Sequence, residues 1–134
     1  MTKISEIEGI GPAISEKLAK AEILTVEKLL AACAGPRGRE EVAKKTGLKE
    51  EDLLTWTNHA DLFRVKGIGS EYSELLEGSG VDTVPELATR KAANLVTKME
   101  EVNAKKKLVR RTPTEKMVEK WIAQAKKMSK VVSH

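Results

Sequence analysis

Cysteine is almost absent from this chain, and the single thiol, Cys33, excludes an internal disulfide and a thiolate metal cluster. A reducing cytoplasmic setting is the expectation that follows. Aromatic side chains make up 3% of the residues and are confined to Trp56, Phe63, Tyr72 and Trp121. So few rings cannot build the stacking platform of a single-strand binder. The two histidines, His59 and His134, stand far apart in sequence without a second ligand type at metal spacing, so no metal site is expected. No apolar run approaches the roughly 20 residues that cross a bilayer, and Lys3 and Glu6 interrupt any secretory pattern at the start. A membrane partner is therefore not expected. Long alternating β-branched segments are missing too; "KVVSH" at residues 130–134 is the one weak strand candidate.

Charge is plentiful and unevenly placed. A third of the 134 residues are charged, with a net charge of +4. Residues 1–88 carry 11 Lys/Arg against 16 Asp/Glu, whereas residues 89–134 carry 13 against 4. The positive field is concentrated in the last third, where it favours a polyanion over a solvated basic face with no ligand.

The chain also repeats itself. Shifted by 58, Ile7–Leu30 falls on Val65–Ala88 without a gap, with nine identities in 24 positions. Gly9, Ile10 and Gly11 meet Gly67, Ile68 and Gly69, and Thr25, Val26 and Leu29 meet Thr83, Val84 and Leu87. Trp56 and Trp121 are 65 apart, which puts about seven extra residues in the second copy, within "NAKKKLVRRTPT" at residues 103–114. Two units follow, 1–62 and 63–134, expected as one compact globule with a pseudo-twofold arrangement. In that arrangement the last helix has no hairpin after it, so Trp121, Ile122 and Ala125 are expected beside Ile4, Ile7 and Ile10.

The periodicity is helical nearly throughout, and the fold class is all-α with about ten short helices. Ile14, Leu18 and Ala21 recur at helical spacing after Pro12, which suits a first turn. Thr25, Thr83 and Thr114 precede helical runs as N-caps, Pro85 fits a first turn, and Gly47 closes "GREEVAKKTG" as a C-cap. Leu53, Trp56, Ala60 and Phe63 share one side of a helix, and both tryptophans read as core residues.

The Gly-Ile-Gly turns carry the functional signal. Glycine permits positive φ and close backbone approach. The isoleucine turns inward, where its burial stabilises by roughly 1.5–3 kcal/mol. The N–H groups opening the next helix then face outward as an anion site. Helix, Gly-Ile-Gly turn and helix resemble the helix-hairpin-helix motif, and "EILTVEKLL" and "GVDTVPELA" resemble its continuation. That resemblance implies contact with DNA phosphates without sequence readout, and a place for a monovalent cation on the hairpin carbonyls. The ordered set "IEGIGP", "TVEKLL", "GPRGREEVAKKTG", "LLTWTNHADLFRVKGIG", "VNAKKKLVRR" and "VEKWIAQAK" is similar along nearly the whole chain to an uncharacterised bacterial domain-of-unknown-function family of small tandem helix-hairpin-helix proteins. The resemblance implies fold and no activity. One departure is Ala21-Glu22-Ile23, where the family often reads Ala-Gly-Ile; the turn is expected to be strained or differently wound there.

The expected nucleic-acid contacts are Gly9 and Gly11 in the first hairpin and Lys66, Gly67 and Gly69 in the second. To these are added Lys105, Lys106, Lys107, Arg110 and Arg111 in the inserted segment, held by Leu108 and Val109. Lys116, Lys120 and Lys127 complete the set as a stripe on the last helix, opposite Val118, Trp121, Ile122 and Ala125. Such contacts are salt-sensitive and sequence-independent. Glu8 before the first hairpin and Glu71 and Glu74 after the second oppose phosphate, so the hairpins read equally as helix-joining corners. No set of catalytic groups converges, and neither glycine turn follows a strand as a nucleotide fingerprint requires. The reading is a non-enzymatic duplex-backbone binder without cofactor or small-molecule substrate; the alternative is a protein-protein adapter on the same scaffold.

Overall fold

A computed structural model describes residues 2–134. Among them the chain forms eight α-helices and one short 3-10 turn, Ile4–Glu6, with no strand. The helices are α1 (Pro12–Ala19), α2 (Val26–Cys33), α3 (Pro36–Thr46), α4 (Glu50–Leu62), α5 (Ser70–Gly78), α6 (Val84–Ala88), α7 (Ala92–Lys106) and α8 (Glu115–Lys126). The difference from ten is that the segments around the hairpins stay as turns. Residues 129–134 form no regular element, and the isolated β-bridge among the described residues joins Lys3 to Thr25.

The chain divides into two compact units, Met1–Asp61 with Val131–His134, and Leu62–Lys130. Each contains a hairpin followed by helices in the same order, so α1 to α4 correspond to α5 to α8. The local signals act as their chemistry dictates. Thr25 accepts from the Lys28 N–H at 3.1 Å and Thr114 from the Met117 N–H at 3.2 Å, capping α2 and α8. Thr83 precedes α6 without a side-chain cap bond, and Pro85 supplies the start there. Gly47 ends α3 at φ 78°.

In the first unit, α2 packs on α3, and Gly38 makes that approach feasible: a Cβ built on it would land on the Ala32 carbonyl oxygen. Arg39 is buried with its guanidinium turned onto backbone. It donates to the carbonyls of Cys33 at 2.9 Å and Ala34 at 3.2 Å, at the negative end of α2, and to that of Ser133 at 2.8 Å. The Ser133 N–H returns a bond to the Ala34 carbonyl at 2.8 Å, and Val132 is buried. The chain end is therefore a strap on the first unit.

In the second unit, α8 packs on α6 and α7, and α5 packs on α7. Leu62, Val65, Ile68, Leu76, Met99, Val118, Trp121, Ile122 and Ala125 belong to one buried cluster. Trp121, Ile122 and Ala125 are core residues of their own unit, and the Trp121 indole lies against that unit's Gly67.

Candidate nucleic-acid interface

The two hairpins are built alike. Ile10 and Ile68 are each 4% exposed, and each donates its N–H at 3.1 Å to a carbonyl three residues back, Ile7 or Val65. The glycines divide their work. Gly9 and Gly67 stand at φ 93° and 100°, in the region that disfavours any other residue. A Cβ on Gly9 would lie 3.2 Å from Trp56 Nε1, and one on Gly67 would lie 3.0 Å from Trp121 Nε1. The first glycine of each turn is thus a seat for its unit's tryptophan, which is buried and cannot stack on a base. Gly11 and Gly69 differ. They are extended N-cap residues without a side-chain cap, and a Cβ on either would meet nothing within 4 Å. The space above the helix N-terminus is open at both. The first turn of α1 lacks one N–H because Pro12 occupies its first position, so α5 presents one more donor.

The surroundings separate the two hairpins further. The second is braced by a side chain that sequence reading missed. Gln124 of α8 accepts the Lys66 N–H at 3.0 Å, and its amide group donates to the Lys66 carbonyl at 3.4 Å. Lys120 and Lys127 flank Gln124 at spacings of four and three, hence on the helix side that meets the hairpin. The Val65 carbonyl accepts the Ile68 N–H and the Lys66 carbonyl accepts the Gln124 amide. Among the described residues no group of three or more His, Cys, Asp or Glu could hold a metal ion.

The inserted basic segment lies beside the same unit's α5. Its residues 107–114 link α7 to α8, whereas residues 47–49 suffice between α3 and α4. Val109 is buried, Leu108 half-buried, and Lys105, Lys106, Lys107, Arg110 and Arg111 are exposed. Asn103 fixes the segment, donating to the Val109 carbonyl at 3.1 Å and accepting its N–H at 2.9 Å. One side-chain amide thereby replaces a backbone pair. Lys107, Asn103 and Arg110 line a groove of about 460 Å³ together with Glu71 of α5. Tyr72, next on α5, donates to the Arg111 carbonyl at 3.4 Å and stacks tilted on Trp121, centroids 5.2 Å apart. Glu71, an argument against phosphate when read alone, has Lys107 and Arg110 across the groove.

Of the expected contacts, Lys66, Gly67, Gly69, the five bases of the segment, Lys116 and Lys120 of α8 and its C-cap Lys127 share the second unit; Gly9 and Gly11 belong to the first. Lys116, Lys120 and Lys127 are exposed, and Val118, Trp121, Ile122 and Ala125 opposite them are buried. His59 is a buried residue of α4, and burial pushes the Cys33 thiol up, against weaker opposing effects of the Thr57 hydroxyl and Arg39. Such a thiol is neutral and a poor nucleophile.

A family model described as Domain of unknown function (DUF4332) matches residues 8–128. The chain belongs to that family. No curated protein and no solved structure matches it significantly. Among the described residues no helix is long and apolar enough to cross a membrane.

Proposed function

We propose that the protein is a non-enzymatic, sequence-independent binder of the duplex DNA backbone, and that its two glycine turns are tandem helix-hairpin-helix motifs. The observation that carries the reading is the junction in the second unit. There the open N-terminus of α5, the anchored segment with Lys107, Arg110 and Arg111, and the α8 lysines around Gln124 meet one hairpin. Cations held on fixed backbone lose little freedom when they meet phosphates, and each phosphate neutralised releases counterions. Nothing in the junction reads base edges, so affinity is expected to depend on salt more than on sequence.

The test is titration of a random-sequence duplex at low salt, repeated as salt is raised. Binding that weakens steeply and linearly on a log–log plot supports the proposal. No binding at low salt sinks it. The adapter reading then gains, and it has its own observation: Leu24, 56% exposed between α1 and α2 of the acidic first unit, beside Glu22.

A further inference from the structure

Lys91, the N-cap of α7, and Lys98 and Lys105 within it recur every seven residues, which is two helical turns per step and one side of the helix. All three are exposed. At about 1.5 Å per residue the row covers roughly 21 Å, about the length of six base pairs. Its far end opens into a groove of about 300 Å³ lined by Arg90, Lys91, Asn94 and Lys98. Arg90 and Lys91 also border a neighbouring groove of about 350 Å³ that adds Lys126 and Glu119. The near end of the row runs into Lys106, Lys107 and the Arg110 groove.

The opposing charges are few. Glu100 and Glu101 stand between Lys98 and Lys105, Glu119 borders the second groove, and Arg90 is occupied by Glu86 at 2.7 Å and by the Gly80 carbonyl at 2.9 Å. Arg90 therefore shapes the wall, and Lys91, Lys98 and Lys126 supply the unpaired positive charge there. The first turn of α7 contains no acid, so the positive end of its dipole adds to theirs.

We infer that Lys91, Lys98 and Lys105 form a phosphate track along α7 that extends the duplex contact from the basic segment to the groove at Arg90 and Lys91. The inference rests on the proposed duplex binding and gives it a length and a direction. A duplex lying on the track crosses the whole of α7, so the footprint exceeds what the hairpin and segment alone would cover.

The experiment is fluorescence anisotropy with labelled random duplexes of about 6 and about 12 base pairs, on the wild-type chain and on Lys91→Gln/Lys98→Gln. The double variant is expected to bind the longer duplex about 5- to 20-fold more weakly, with the salt slope shallower by about 2, at an unchanged melting temperature. Lys91→Arg/Lys98→Arg keeps the charge and is expected to bind as wild type. Unchanged affinity and slope in the glutamine variant, with wild-type binding intact, would overturn the track and leave the duplex reading standing. Absence of salt-sensitive wild-type binding overturns both. Equal displacement of the duplex by polyglutamate of matched charge also overturns it, pointing instead to an acidic protein surface.

Discussion

The two units exchange their glycines. After α5 the chain reverses through Gly80 at φ 91°, but after α1 the same place is held by Glu22 at φ 61°. After α3 it reverses through Gly47 at φ 78°, but after α7 the place is held by Lys107 at φ 51°. Each unit therefore tolerates one left-handed non-glycine residue, at roughly 1–2 kcal/mol. The two strained residues have opposite charge and different settings. Glu22 is exposed in a unit whose hairpin carries no basic residue in its first turn. Lys107 lines the groove next to Arg110, at the start of the longer link that the first unit lacks. The duplicated scaffold has kept its turns, and the charge has been built on one copy.

The largest expected effect comes from breaking that asymmetry directly. Lys105→Glu/Lys106→Glu/Arg110→Glu/Arg111→Glu should weaken duplex binding about 100-fold or more, while Lys17→Glu/Lys20→Glu in the first unit should change it less than about 3-fold. Anisotropy titrations at one fixed salt concentration compare them. Next, Gly67→Ala and Gly9→Ala should each cost about 2–4 kcal/mol, since positive φ and the tryptophan seat are lost together. Gly69→Ala and Gly11→Ala should cost about 1 kcal/mol or less, having neither constraint. Urea unfolding followed by fluorescence checks this, with Trp56→Phe and Trp121→Phe backgrounds assigning the loss to a unit. Asn103→Ala should cost about 1–3 kcal/mol by leaving the Val109 backbone groups unpaired, and should also weaken duplex binding by freeing the segment. The smallest effect is a gain: Glu22→Gly should stabilise by about 1 kcal/mol, and Gly80→Glu should destabilise by at least as much. Equal and opposite outcomes in thermal melts would show that the two turns are the same device.

Much of the scaffold was readable from residue types. Gly-Ile-Gly, the caps at Thr25, Thr114 and Gly47, the buried Ile10 and Ile68, and the anchors Leu108 and Val109 each follow from a local rule. At Glu22 the missing glycine left two outcomes open, strain or a different winding, and the left-handed φ of 61° is the strained one. The Asn103 and Gln124 clamps were not readable, since one amide bonding to backbone six or 58 residues away leaves no periodic trace. Gly38 and Arg39 carried no signal of their own in the sequence, and only the approach of α2 to α3 gives them a purpose. The seat of each tryptophan on the hairpin glycine of its own unit was not readable either, since nothing local links residues 47 or 54 apart. Within the candidate site, the charges were visible in sequence and their gathering around α5 was not.

The most direct test of the account is to map amide shifts of the labelled protein as a random duplex is added at low salt. The account predicts perturbations at residues 66–72, 103–111 and 116–127, extending to Lys91 and Lys98 if the track along α7 is used, with residues 9–20 little changed. Perturbations centred on residues 9–20, or none anywhere, would contradict it.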